Sequence, residues 1–278
     1  MIASSGDLVG AARAAGRGVC AFNVIGIEHA EAIARGAQEA GVPVILQLSE
    51  NCVRYHGALR PIAAACLALA DAASLPLAVH LDHATDADLV REAVDLGIGS
   101  VMYDASALGY AANVAATAGV VAWCHDAGVW VEAELGEVGG KDGVHAPGAR
   151  TDPDEAAAYV AATGVDALAV AVGSSHAMLT RDAALDLELI KRLAATVPVP
   201  LVLHGSSGVP DDVLVQAVRS GMMKINIATQ LNKVYTAAVR TVLAGDDRLV
   251  DPRKYAAAGR DAVAAEVARL AGLVGSAP

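Results

Sequence analysis

Short runs of Val, Ile, Leu and Ala alternate along the chain with Ala-rich stretches in which apolar positions recur every three or four residues. A continuous apolar run of about four to eight residues suits a strand buried on both faces. The wider spacing suits a helix with one apolar stripe. On this pattern, strands are expected over 18–24, 42–48, 75–82, 99–104, 129–135, 166–172, 199–203 and 222–227. Helices are expected over 28–40, 59–73, 86–96, 110–127, 185–195, 229–243 and 252–273, with Asp86 as a candidate N-cap. Asp152-Pro153 opens a further helix, because proline suits the first helical position, and Pro210-Asp211 opens another. Strands that each lead into a helix predict an α/β fold, a single (β/α)8 TIM barrel over 1–278 with a C-terminal helical extension. A doubly wound open sheet is the alternative, but no Gly-x-Gly-x-x-Gly turn follows the first strand. One segment breaks the alternation. Residues 136–150 hold five glycines, a proline and several charges, which predicts a mobile active-site loop.

Composition narrows the partners. The 278 residues match one barrel of this kind, typically about 250 residues long. Aromatics make up only 3%, so Val, Ala, Leu and Ile must fill the core, and few faces are left on which single-stranded nucleic acid could stack. The net charge of −11, with no basic stripe, excludes nucleic acid as a partner and disfavours anionic membranes. No apolar run reaches the roughly 20 residues of a membrane span. Residues 1–16 show no charged segment leading into an apolar run, so no signal peptide is expected. Cys20, Cys52, Cys66 and Cys124 show no paired spacing and are expected to be reduced, buried thiols of a cytoplasmic protein.

The chemistry gathers at the strand ends. The third expected strand turns polar at His80-Leu81-Asp82-His83. Strand residues alternate faces, so His80 and Asp82 share one face. The strand is expected to end at Asp82, which leaves His83 on the next loop, free to swing into a pocket. In a barrel the site lies at the C-terminal ends of the strands. Those ends carry Asn23, Ser49-Glu50, Asp82-His83, Asp104, Glu132 and Glu134, then Gly173-Ser174-Ser175-His176, His204 and Asn226. Of the eight histidines in the chain, His83, His176 and His204 fall on three different strand ends. Three imidazoles meeting at one point suit catalytic zinc with an open coordination position. The competing reading has His176 and His204 capping helices or bonding backbone. An acid beside such a ligand suits a Lewis acid with an adjacent proton carrier. Gly205-Ser206-Ser207-Gly208, followed by a helix start at Asp211, suits an anion held by backbone N–H groups, and Asn226 to Thr229 continues that rim. Lys224, two residues before Asn226 and deeper, is the one lysine placed at a strand end and the only Schiff-base candidate.

Taken together, Ala21-Phe22-Asn23, Val79 to His83, Glu132 to Gly136, Gly173 to His176, Leu203 to Gly208, Lys224 to Ile227 and Asp251 to Tyr255 resemble the class II, zinc-dependent fructose-bisphosphate aldolase family, which includes tagatose-bisphosphate aldolases. The resemblance covers nearly the whole chain. It implies that His83, His176 and His204 hold one catalytic Zn2+, and that Asp82 is the acid/base at the C4 hydroxyl. Asp104 and Glu134 would form an alternate metal position, and a monovalent cation is a further expectation. Asn226 would hold the hydroxyl-bearing carbons of a dihydroxyacetone phosphate unit, and Gly205, Ser207 and Thr229 its phosphate. Asn23 and Ser49 are further substrate-binding candidates. Arg253 would reach the other phosphate, in some members from a neighbouring subunit, which implies a homodimer or homotetramer. The implied activity is reversible cleavage of a ketose 1,6-bisphosphate, fructose 1,6-bisphosphate first. Tagatose bisphosphate or another phosphorylated keto-sugar is an alternative, and a zinc hydrolase or a non-catalytic sugar-phosphate sensor are readings of another class. The chain departs from the family pattern in four places. Gly139-Gly140-Lys141-Asp142 lacks the usual loop Glu. Ala177 replaces a glycine. Asn226-Ile227-Ala228-Thr229-Gln230 lacks two acids. Ile25-Gly26 replaces a more polar pair.

Overall fold

A computed structural model describes residues 2–135 and 150–276. In chain order the elements are α1 (Ser5–Ala14), β1 (Val19–Asn23), α2 (Ile27–Ala40), β2 (Val44–Ser49), α3 (Glu50–His56), α4 (Arg60–Ala72), β3 (Leu77–Ala84), α5 (Ala87–Asp95), β4 (Ser100–Tyr103), α6 (Tyr110–Asp126) and β5 (Trp130–Glu134). They continue with α7 (Pro153–Thr163), β6 (Ala167–Ala169), α8 (Leu187–Thr196), β7 (Leu201–Leu203), α9 (Asp211–Ser220), β8 (Met222–Ile227), α10 (Thr229–Gly245) and α11 (Pro252–Gly275). The eight strands are all parallel and close into a barrel, β1 pairing with both β2 and β8. This is the TIM barrel expected from the alternating pattern, with α11 as its C-terminal extension. Apart from Arg150, the loop expected at 136–150 lies outside the described residues.

Local chemistry explains most boundaries. Asp86 caps α5 by accepting from the Asp88 N–H, and Asp152 caps α7 by accepting from Asp154 and Glu155. Each cap satisfies backbone donors that the first helical turn leaves unpaired. Two helices were not foreseen. α3 buries only Cys52, so it carries no apolar stripe to read; it exists because Ser49 caps it through the Cys52 N–H. α1 is capped by Ser4 and lays Leu8 and Val9 on Val19, Ala21, Ile45 and Ala78, closing the N-terminal end of the barrel. β6 and β7 are shorter than their apolar runs. Beyond Ala169 the chain stays buried, but the Ala171 N–H bonds the Thr151 hydroxyl at 2.8 Å instead of a strand neighbour.

α11 is packed, not appended. Its face of Gly259, Val263, Ala264, Val267, Leu270, Ala271 and Val274 is buried. It crosses α2 at Gly36, where a Cβ would run into the Ala264 carbonyl and sit 2.7 Å from the Val267 Cβ. Inside the barrel, the apolar layer gives way toward the C-terminal end to Gln47, His80, Ser100, Glu132 and Lys224, all buried and polar. That layer is the floor of the site.

Candidate active site

β3 does not stop at Asp82. It runs to Ala84, and its register against β4 shifts between Leu81 and Ala84. His83 sits in that irregularity with φ 52, in the left-handed region. A bulge breaks the alternation of faces, so consecutive residues can share one side. Asp82 and His83 accordingly both line the same cavity. The expectation of a loop at His83 is therefore corrected: a strand bulge turns this side chain inward.

The three imidazoles meet there. His83 and His204 have ring centroids 4.7 Å apart, His83 and His176 5.4 Å, and His176 and His204 5.7 Å. One nitrogen from each lies within 4.8 Å of the others, a spacing that can hold one metal ion. A second set, His83, Asp104 and Glu134, meets the same limit. His83 Nδ1 is 2.7 Å from Asp104 Oδ2, which leaves Nε2 for the cavity. The other Asp104 oxygen accepts from the Ser106 N–H and hydroxyl. A carboxylate held in this way orients an imidazole and makes it a better ligand.

His204 is fully buried between two carboxylates. Its Nε2 is 3.0 Å from Glu132 Oε1, and its Nδ1 is 3.0 Å from Glu134 Oε2 but outside hydrogen-bond geometry. Burial pushes the His204 pKa down, but Glu132 and Glu134 outweigh it and hold it up at about 9. Beneath, Lys224 Nζ is 2.9 Å from Glu132 Oε2. His80, buried against Ser100, is pushed down to about 3, first by burial and then by Lys224. Burial also favours the neutral form of Asp82, but His83, Lys224 and His204 together keep its carboxyl below the usual range. Asp82 Oδ1 is buried and has no hydrogen-bond partner among the described residues. A buried carboxylate oxygen without a hydrogen bond, beside three converging imidazoles, fits a site completed by a cation and a substrate hydroxyl.

The cavity holds about 440 Å³. Asn23, Ser49 and Asn226, three of the expected strand-end residues, line it. Gly205, Ser207, Ala228 and Thr229 line it too, where α10 begins at Thr229 and Ser207 Oγ accepts from the Gln230 N–H. Gly205 has φ 66, and a Cβ there would lie 2.5 Å from the Ser175 carbonyl, so only glycine fits. Ala177 also lines the cavity with φ 58, a conformation costly for a side chain.

Two expectations land elsewhere. Arg253, at the start of α11, is 89% exposed at its side chain, pairs with Asp251, and does not line its own chain's cavity. Lys224 is also absent from the cavity wall, its amine committed to Glu132, Gln47 and Asn226, so the Schiff-base reading loses its nucleophile. Sequence reasoning missed Gln47 and Arg54. Gln47 was visible as the single polar residue in the run Val44-Ile45-Leu46-Gln47-Leu48. Arg54 lies on the unforeseen α3, pairs with Glu50, and is the only Lys or Arg among the described residues lining the cavity.

Comparison with known proteins identifies the family. The family model described as fructose-bisphosphate aldolase class-II matches residues 3–278. The YdjI aldolase of Escherichia coli K12 is 32% identical, with each chain covered over 100% and a TM-score of 0.86. A putative fructose-1,6-bisphosphate aldolase from Coccidioides immitis is 28% identical, covering 97% of this chain and 95% of that one, with a TM-score of 0.87. Fructose-bisphosphate aldolase of Campylobacter jejuni shares the fold at 21% identity and a TM-score of 0.84, covering 98% of this chain and 95% of that one. A match over nearly all its length, with relatives whose barrels superpose end to end, makes this chain a member of the class II fructose-bisphosphate aldolase family, a carbon–carbon lyase.

Proposed function

We propose that the enzyme reversibly cleaves a ketose 1,6-bisphosphate, fructose 1,6-bisphosphate first, to dihydroxyacetone phosphate and an aldehyde phosphate, with Zn2+ held by His83, His176 and His204. One observation carries the reading: three imidazoles converge beside a buried carboxylate oxygen, Asp82 Oδ1, that has no hydrogen bond among the described residues. Zinc would act as a Lewis acid on the charge that develops at the sugar's C2 oxygen. Asp82 takes the C4 hydroxyl proton in cleavage and returns it in condensation. Asp104 orients His83, and Glu134 is placed to serve as an alternate ligand. Asn23, Ser49 and Asn226 hold the sugar hydroxyls. Gly205, Ser207 and Thr229 hold a phosphate at the N-terminus of α10, where backbone N–H groups and the helix dipole favour an anion.

Arg253, exposed on its own chain, is available to the cavity of a second copy, which supports a homodimer or homotetramer. The four cysteines are free and buried, and among the described residues no helix is long and apolar enough to cross a membrane. The free thiols support a cytoplasmic enzyme.

The test is release of triose phosphates from fructose bisphosphate, with and without a chelator and then with Zn2+ restored. Cleavage lost to the chelator and regained with Zn2+ is expected. Chelator-resistant cleavage overturns the metal mechanism. Tagatose bisphosphate or another phosphorylated keto-sugar is the alternative substrate, and the Glu50–Arg54 pair, which also lines the cavity, is a charged feature that could discriminate between them. The ratio of kcat/KM on the two bisphosphates decides between them.

A further inference from the structure

Lys224 is a charged side chain with 0% exposure inside a barrel, below the cavity but not on its wall. We propose that Lys224 is a positioning residue, a single buried donor group that dictates which way three amides and one carboxylate face, and through them which atoms meet the substrate and the metal-binding His204. The inference rests on the aldolase reading and adds a residue to it.

The argument is one of donors and acceptors. A lysine amine offers three donors and, when charged, no acceptor. Two are donated in hydrogen bonds, to Gln47 Oε1 at 3.0 Å and Asn226 Oδ1 at 2.8 Å, and the charge is paired with Glu132 Oε2 at 2.9 Å, outside hydrogen-bond geometry. An amide facing such a group must present oxygen, so its NH2 must point away. For Asn226 this sends Nδ2 to the cavity side. For Gln47 it sends Nε2 to Asn23, whose Oδ1 accepts at 3.0 Å. Asn23 is thereby also turned, oxygen inward and NH2 outward. Asn23, Gln47 and Asn226 all line the cavity. Two NH2 groups are thus aimed at ligand oxygens, from β1 and β8, by an amine neither can turn from.

The same amine works in the other direction. It occupies Glu132 Oε2, leaving Oε1 to face His204 Nε2 at 3.0 Å. That contact fixes the ring of His204, whose other nitrogen, Nδ1, lies 3.0 Å from Glu134 Oε2. Without Lys224, Gln47 has no reason to prefer oxygen-down over nitrogen-down. A flip there reverses the preferred direction of Asn23 as well.

The test uses a neutral pair, Lys224→Met with Glu132→Gln, because removing the lysine alone would strand a buried carboxylate. Replacing both members of a buried ion pair with neutral groups of similar size is often tolerated. The first readout does not depend on activity: side-chain amide resonances of Asn23, Gln47 and Asn226 in the 15N-labelled, Zn2+-loaded protein. Three sharp pairs are expected in the wild type, and shifted, exchange-broadened pairs in the variant. Unchanged positions and widths overturn the proposal. The second readout is a double-mutant cycle on turnover. The neutral pair should cost roughly 100-fold in kcat in the wild type, the scale of a small misplacement at a reacting centre. In an Asn226→Ala background it should cost less than about tenfold, since residues acting as one unit are non-additive. Equal costs in both backgrounds overturn it. If the wild type cleaves no ketose phosphate, the aldolase reading fails, and the amide spectra still decide the orienting role.

Discussion

Asp82 and His83 are neighbours in sequence with separate tasks, and one backbone irregularity lets both face the same cavity. Asp82 Oδ1 is buried with no donor among the described residues, an arrangement that costs stability and makes sense if a substrate hydroxyl completes it. Asp82→Asn keeps the shape and removes the basic oxygen. It should leave Zn2+ bound at wild-type stoichiometry and lower kcat by about 10²- to 10⁴-fold. Metal analysis alongside a coupled triose-phosphate assay checks this, and turnover within tenfold of wild type would remove Asp82 from the mechanism. Ala177 lines the cavity at φ 58, where the Cβ is strained. Ala177→Gly should therefore raise stability by about 0.5–1 kcal/mol, the relief at φ being partly offset by the extra freedom of glycine in the unfolded chain. The midpoint of urea unfolding reads it. The identities of these residues were legible in the sequence, because histidines and acids at apolar strand ends are unusual. Their geometry was not. A positive φ at a histidine has no local signature, and the roles of Gln47 and Lys224 depend on register across the barrel.

Elements were legible wherever burial wrote a period into the chain. β1 to β8 and most of the helices between them bury a face that left a run or a stripe. α3 buries a single residue and left none, yet it brings Glu50, Asn51 and Arg54 to the cavity. Its existence depends on Ser49, a cap that sequence reasoning had marked only as a substrate residue. β6 shows the converse: its apolar run exceeds its ladder, because burial continues after strand pairing ends. Helix α11 was expected by its pattern, but its docking rests on a glycine in another helix. A Cβ at Gly36 would collide with the α11 backbone at Ala264, which cannot move aside as a side-chain tip can. Gly36→Val should destabilise the fold by at least about 2–3 kcal/mol through overpacking. Thermal unfolding checks it, and a melting temperature within 1–2 °C of wild type, roughly the change produced by half a kcal/mol in a chain of this size, would mean that α11 shifts freely on α2.

At the scale of the whole molecule, the C-terminal half of the barrel interior is unbalanced in charge. Asp82, Asp104, Glu132 and Glu134 are all buried, and Lys224 is the one buried lysine among the described residues. Buried carboxylates are tolerated only when paired or bound to a cation. Lys224 beside Glu132 supplies part of the balance, and a divalent ion at the three imidazoles, which bind it as neutral rings, would supply the rest. Anything that binds the folded state alone stabilises it by mass action, about 2.7 kcal/mol at a ligand concentration 100 times Kd. At roughly 2–4 °C per kcal/mol for a chain of this size, that is on the order of 5–10 °C. Chelation should thus lower the melting temperature by that order, and Zn2+ should restore it. Mg2+ should not, since it prefers oxygen ligands to imidazole. His204→Ala should make the melting temperature indifferent to chelator. If wild-type protein shown by elemental analysis to carry zinc melts at the same temperature after the metal is stripped, then zinc does not complete the charge balance at the top of this barrel.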